Sequence, residues 1–226
     1  TGLTFGADKK YGDNKFAGLA IRYGENGADI RNSAQQTDME SLTLNIYGII
    51  PRDENKYINA VLGLSVLRFD QKYLGQLTGE RNGKQAFVAV NYRTKKSYGD
   101  LNLTPSGRFT YAVTQLSDFT NFISTVKPGA DIIYEEDTFE SGEVAAGFLF
   151  NLNDIETPDG IFKPNGGLEI VYDITPDVKL EYSNQGSSNV NTTTIEKYSH
   201  KNIRGNIGLE AIYNNGITLS LNYERF

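Results

Sequence analysis

Along nearly the whole of this 226-residue chain, apolar residues recur at every second position, and that period admits few folds. Successive side chains of an extended strand point to opposite faces, so a period of two places every apolar group on one side. Leu42, Leu44, Ile46, Gly48 and Ile50 alternate with Thr43, Asn45 and Tyr47. Ile58, Ala60, Leu62, Leu64 and Val66 do the same, as do Ala86, Val88, Val90 and Tyr92. The pattern returns in Leu103, Phe109, Tyr111 and Val113, in Val144, Ala146, Phe148 and Phe150, and in Ile203, Ile207, Leu209, Ala211 and Tyr213. Residues 3–8 and 16–23 open the chain in this way, and Ile217, Leu219, Leu221 and Tyr223 close it. About ten strands are predicted, each apolar on one face.

One stretch can be read in two ways. In "FKPNGGLEIVYDITPDVKLEY" the triplet Thr175-Pro176-Asp177 is a turn signal, yet the apolar residues from Phe162 to Tyr182 keep even parity across it. The preferred reading is one long strand with a bulge at Pro176, and the alternative is a tight hairpin. The connections predicted between strands alternate in length. The short ones are 9–14, 51–56, 96–100, 153–160 and 214–216, and the long ones lie near 25–40, 70–84, 117–142 and 183–202. Such alternation suits an up-and-down barrel with short turns at one membrane surface and long loops at the other.

Composition agrees with a barrel in lipid. No apolar run approaches the roughly 20 residues of a membrane-spanning helix, whereas a membrane strand needs only about 9–11 with alternate positions apolar. A mean hydropathy of -0.43 is therefore no obstacle. The chain has 14 Tyr and 23 Gly, which suit membrane interfaces and crowded inward positions. With no Cys it has no disulfide framework and no thiolate metal site. A net charge of -6 argues against nucleic acid as a partner, because phosphate binding needs clustered Lys and Arg. Residue 1 is not Met, and no signal peptide or lipidation motif is present, as expected for a segment of a longer exported chain.

The predicted fold class is all-β: one domain over 1–226 forming an antiparallel up-and-down transmembrane β-barrel. Phe226 shares the polar face of its strand with Thr218, Ser220, Asn222 and Glu224, so it is not the in-phase terminal aromatic common in such barrels. With the turn at 214–216 on the periplasmic side, the first and last strands both have their outer ends at the extracellular side. One further strand at each end makes about twelve, an even number.

Parity also assigns the two faces. Leu44, Ile46, Leu62, Leu64, Val88, Val90, Phe148, Leu209, Leu219 and Leu221 are predicted to face lipid. Arg22, Arg93, Arg108, Lys163, Glu169, Arg204, Asn206 and Glu210 fall on the opposite face and are predicted to line a hydrated pore, the alternative being the solvent face of an open sheet.

Catalytic and ligand chemistry finds no foothold. The lone His200 has no nucleophile motif beside it and reads as a rim histidine. Glu135, Glu136, Asp137, Glu140 and Glu143 gather in "YEEDTFESGE" without the ligand spacing of a calcium loop, and read as a solvated acidic loop. No glycine cluster matches a phosphate-cradling loop. No catalytic residue, cofactor or metal ligand is therefore assigned.

Two stretches carry a family resemblance. "LTFGADKKYGDNKFAGLAIRYGENGADI" resembles a hairpin of autotransporter translocator domains, in which a strand ending in Gly-Ala-Asp precedes an Asp-Asn turn and a Leu/Gly/Tyr-rich strand. "IRGNIGLEAIYNNGITLSLNYERF" is similar to the penultimate part of that domain. The resemblance implies a type V secretion barrel of about twelve strands in the cell outer membrane of a Gram-negative bacterium, non-enzymatic, anchoring and exporting an N-terminal passenger through a pore threaded by a linker helix. The partners implied are outer-membrane lipid and lipopolysaccharide, the chain's own passenger and linker helix, and the barrel-assembly machinery, with the barrel a monomer. A second reading stays open: a small outer-membrane porin or adhesin that works through its extracellular loops.

Overall fold

A computed structural model describes residues 1–12, 15–29, 35–122, 131–187, 189–196 and 200–225, the side chain of Glu224 excepted. The strands run in chain order as β1 (Gly2–Tyr11), β2 (Lys15–Asp29), β3 (Gln35–Asp53), β4 (Lys56–Tyr73), β5 (Gln76–Thr94), β6 (Lys96–Tyr98), β7 (Leu101–Leu116) and β8 (Phe119–Asn121). They continue as β9 (Ile132–Tyr134), β10 (Asp137–Leu152), β11 (Ile155–Thr157), β12 (Gly160–Asp173), β13 (Val178–Asn184), β14 (Val190–Ile195), β15 (Lys201–Tyr213) and β16 (Thr218–Arg225).

Ten of these form the main sheet in the order β1-β2-β3-β4-β5-β7-β10-β12-β15-β16, with β6 on β7 and β11 on β12 as short additions. Every pairing is antiparallel, and each long strand lies beside the long strands before and after it. Consecutive hairpins of this kind are the up-and-down architecture that the alternation predicts.

The usual distribution of burial is inverted. Leu221, Phe5, Ile207 and Leu64 are 74%, 70%, 69% and 64% exposed, while Thr43 and Ser65 on the opposite face are buried. Water would penalise an apolar face spread over ten strands, whereas lipid would not. Register makes the face continuous: Ile46, Leu62, Val88 and Tyr111 stand in one row across β3, β4, β5 and β7, and Leu44, Leu64, Ala86 and Val113 in the next.

Strand length corrects two of the expected long connections. β3, β4 and β5 run for 19, 18 and 19 residues, about twice what a membrane crossing requires. Segments 25–40 and 70–84 are therefore mostly strand, and β4 meets β5 through the two-residue turn Leu74-Gly75. Both turn residues have positive φ, 51° and 77°, the twist that lets a tight turn follow the strands. Beyond Val66 the outward positions become charged: Arg68 Nη2 is 2.9 Å from Glu80 and its Nε 3.3 Å from Asp70, and Lys72 Nζ is 2.5 Å from Asp38. Ion pairs between exposed side chains belong in water, so the apolar belt ends there.

Neither reading of 175–177 holds. The main-sheet strand stops at Asp173, and the chain resumes as β13 in a second sheet of order β14-β13-β9-β8. The Asp173 carboxylate accepts the Thr175 N–H at 2.9 Å, and Thr175 Oγ1 accepts the Gly142 N–H at 3.0 Å. With these bonds, and with Pro176 lacking an N–H, the segment leaves the ladder. Phe226, whose parity marked it as out of phase, lies outside the described residues.

Candidate pore wall

All eight residues predicted to line a pore fall on one face of the main sheet. Arg22 shares a row with Thr43, Ser65, Gln85 and Thr114. Along that row Thr43 and Ser65 hydroxyls pair at 2.8 Å, and Gln85 Nε2 donates to Thr114 Oγ1 at 2.8 Å. Lys163 stands across from Glu210 and lies 3.7 Å from Asp154. Asn206 stands across from Gly167. The ten predicted lipid-facing residues occupy the other face. Leu44, Ile46, Leu62, Leu64, Phe148, Leu209, Leu219 and Leu221 are exposed there, and Val88 and Val90 half-buried.

Four charged side chains from four successive strands converge. Arg108 Nη2 lies 2.9 Å from Glu143 Oε1 and 3.0 Å from Glu169 Oε2. Arg204 Nη1 lies 3.2 Å and 3.7 Å from the same two carboxylates. Each of the four is about one-quarter to one-third exposed, so water reaches the cluster and it is not sealed in a core. In register, Arg108 stands across from Ala145 and Glu169 across from Gly147, and Ala145 in turn faces Val171, two of the best-buried residues in the chain. Gly147 has a steric reason: a Cβ there would come within 2.3 Å of the Leu168 carbonyl oxygen.

Glu143 is the member that the sequence reading placed elsewhere. It belongs to β10 and not to an acidic loop, as does Glu140, which accepts the Tyr111 hydroxyl at 2.7 Å. Its odd parity, opposite to Val144, Ala146 and Phe148, was the signal that could have found it. Glu135 and Glu136 lie before β10, where Gln115 donates to Glu136. Among the described residues no three His, Cys, Asp or Glu gather as a metal site. His200 continues the edge of the ladder, its carbonyl accepting the Asp173 N–H at 2.8 Å and its ring 6.3 Å from that of Tyr172.

A second feature escaped the periodicity entirely. The small sheet of β8, β9, β13 and β14 packs against the extension of β5 through Arg81, which is 8% exposed. Arg81 Nε donates to the Ser117 carbonyl at 2.6 Å and Nη2 to the Glu135 carbonyl at 2.9 Å. Its guanidinium lies 5.2 Å from the Phe119 ring centre, and Phe119 stacks on Tyr134 at 4.9 Å. Burial draws the Arg81 pKa below its ordinary value and pushes the Tyr134 hydroxyl up, with Tyr182 adding to the latter. Arg81 has the same parity on β5 as Gln85 and Arg93, so the small sheet sits on the polar-face side of that hairpin.

A family model described as the autotransporter beta-domain matches residues 1–224. No curated protein matches the sequence. Among solved structures, the chain is similar to the translocator domain of autotransporter NalP from Neisseria meningitidis, at 15% identity and a TM-score of 0.61, over 100% of this chain and 73% of that one.

Proposed function

Because the chain belongs to the autotransporter β-domain family and is an outer-membrane translocator that mediates passenger export, we propose that the polar face of its sheet is the wall along which the passenger moves. The observation that carries this is the pairing of faces, with an apolar face continuous in register on one side and a partly exposed cluster of two guanidiniums and two carboxylates on the other. A polypeptide in transit presents backbone and polar groups that a dry apolar wall would leave unpaired, and a wall of Arg, Glu, Asn and hydroxyl groups exchanges hydrogen bonds with them.

On this reading Arg22, Arg93, Arg108, Lys163, Glu169, Arg204, Asn206 and Glu210 face the lumen, and the ten apolar residues face lipid. In lipid the outer edges of β1 and β16 must find backbone partners, which closure of the sheet into a barrel supplies. The short turns then lie in the periplasm and the small sheet outside the cell. A monomeric barrel over residues 1–226 meets lipid and lipopolysaccharide on its belt, is assembled by the barrel-assembly machinery, and holds the passenger's linker helix in its lumen.

The absence of Cys makes a direct test possible. In the full-length protein with a passenger stalled in transit, single cysteines replacing Asn206 or Glu210 should form disulfides with a cysteine in the passenger segment, and one replacing Leu209 should not. Cross-linking from Leu209→Cys, or from neither inward position, contradicts the assignment.

A further inference from the structure

One row of the polar face reads Arg93, Ser106, Gly147, Glu169, Arg204 across β5, β7, β10, β12 and β15. The two members between Arg93 and Glu169 are small, and the neighbouring rows flank the gap with Arg108 from β7 and Leu149 from β10. Strands about 4.8 Å apart put those backbones roughly 14 Å from one another along the sheet. The gap opens into a cavity of about 350 Å³ lined by Asn91, Arg93, Arg108, Glu169, Arg204 and Asn206 among others.

The charges of this cavity do not balance. Arg108 and Arg204 share Glu143 and Glu169, two cations against two anions. Arg93 stands on the same rim with no ion-pair or hydrogen-bond partner among the described residues. A guanidinium offers five donors in a planar fork that matches a carboxylate in a bidentate pair. Asn91 and Asn206 add neutral polar groups, and the gap over Ser106 and Gly147 leaves room for the anion to enter.

We infer that this cavity is a binding site for a carboxylate, supplied by an acidic side chain of the polypeptide lying in the lumen, with Arg93 as its cation. The inference rests on the pore reading, which supplies the polypeptide. The bound carboxylate completes the charge of the row and gives a segment within the lumen a fixed stopping point. Free phosphate shares the anion chemistry and is the competing source.

Planar-bilayer recordings on the full-length protein, inserted intact and then freed of its linker by proteolytic cleavage and washing, test this, with hexaglutamate, hexaglutamine and inorganic phosphate as probes. Hexaglutamate should block the ion current and hexaglutamine should not. Arg93→Gln should raise the half-blocking concentration of hexaglutamate roughly five- to tenfold, and Arg93→Lys should recover part of the loss. Ser106→Tyr, which fills the gap and keeps every charge, should weaken block similarly. Heat-modifiable migration of each variant verifies folding. Equal block of wild type and Arg93→Gln, with conductance intact, overturns the site and leaves the pore standing. Phosphate acting through Arg93 at lower concentration than hexaglutamate overturns the polypeptide as source. A folded protein that conducts no ions even after the linker has been cut and released from the lumen overturns the pore, and this site with it.

Discussion

Arg108 reaches diagonally across the β7–β10 pair to Glu143, Nη2 to Oε1 at 2.9 Å, and the same carboxylate oxygen lies 3.2 Å from Arg204. Glu143 thus ties together cations from β7 and β15, strands that do not pair with each other. Removing its charge by Glu143→Gln leaves Glu169 as the carboxylate that both guanidiniums still share. Solvent screens the cluster, so the cost to folding should be about 1 kcal/mol or less. The larger effect should be on ions: the reversal potential across a KCl gradient should move toward anion selectivity. An unchanged potential means that Glu143 does not face the conducting path.

Arg81→Ala should undock the small sheet without opening the barrel. The buried guanidinium donates to the carbonyls of Ser117 and Glu135, and losing two charge-assisted bonds should cost the docking roughly 3 kcal/mol. Proteases should then cut within 117–122, 131–136 and 174–187 at much lower concentration, while heat-modifiable migration persists. Arg81→Lys should not rescue, since a single ammonium cannot reproduce the fork. Equal protease resistance would show that Arg81 does not hold the sheet.

Two glycines of the main sheet should behave differently. Gly147→Ala sets a Cβ against backbone atoms of Leu168 and Glu169, which cannot rotate aside, and should cost about 1–3 kcal/mol. At Gly205 the nearest atom to such a Cβ is 3.8 Å away, and Gly205→Ala should be tolerated within about 0.5 kcal/mol. Urea-unfolding midpoints in lipid vesicles compare the two. Equal midpoints would refute the close approach of β10 and β12.

The ten main strands were legible because a period of two appears wherever one face meets an apolar medium and the other does not. The same dependence hid the rest. The upper halves of β4 and β5 carry charge on the outward face, with Arg68, Asp70, Lys72 and Glu80 in place of Leu and Val, so they read as loop although they form a tight hairpin. Apolar parity runs unbroken from Phe162 to Tyr182, yet β12 and β13 lie in different sheets, because parity records which face a residue takes and not which strand it pairs with. Each polar-face residue could be assigned to its face from parity alone. Their convergence on Glu143 could not be read that way, since it depends on the stagger of four strands.

The claim that one face meets lipid and the other water is tested most directly on β15. Leu209 stands beside Leu221 on the apolar face, and Asn206, an odd number of residues away, stands beside Gly167 on the polar one. Each is replaced by Arg, and folding into lipid vesicles is measured by heat-modifiable migration and urea titration. Leu209→Arg should cost about 2–4 kcal/mol near the bilayer midplane, and Asn206→Arg should fold nearly as well as the parent. Equal damage from the two replacements would mean that both faces are buried, and would contradict an aqueous lumen.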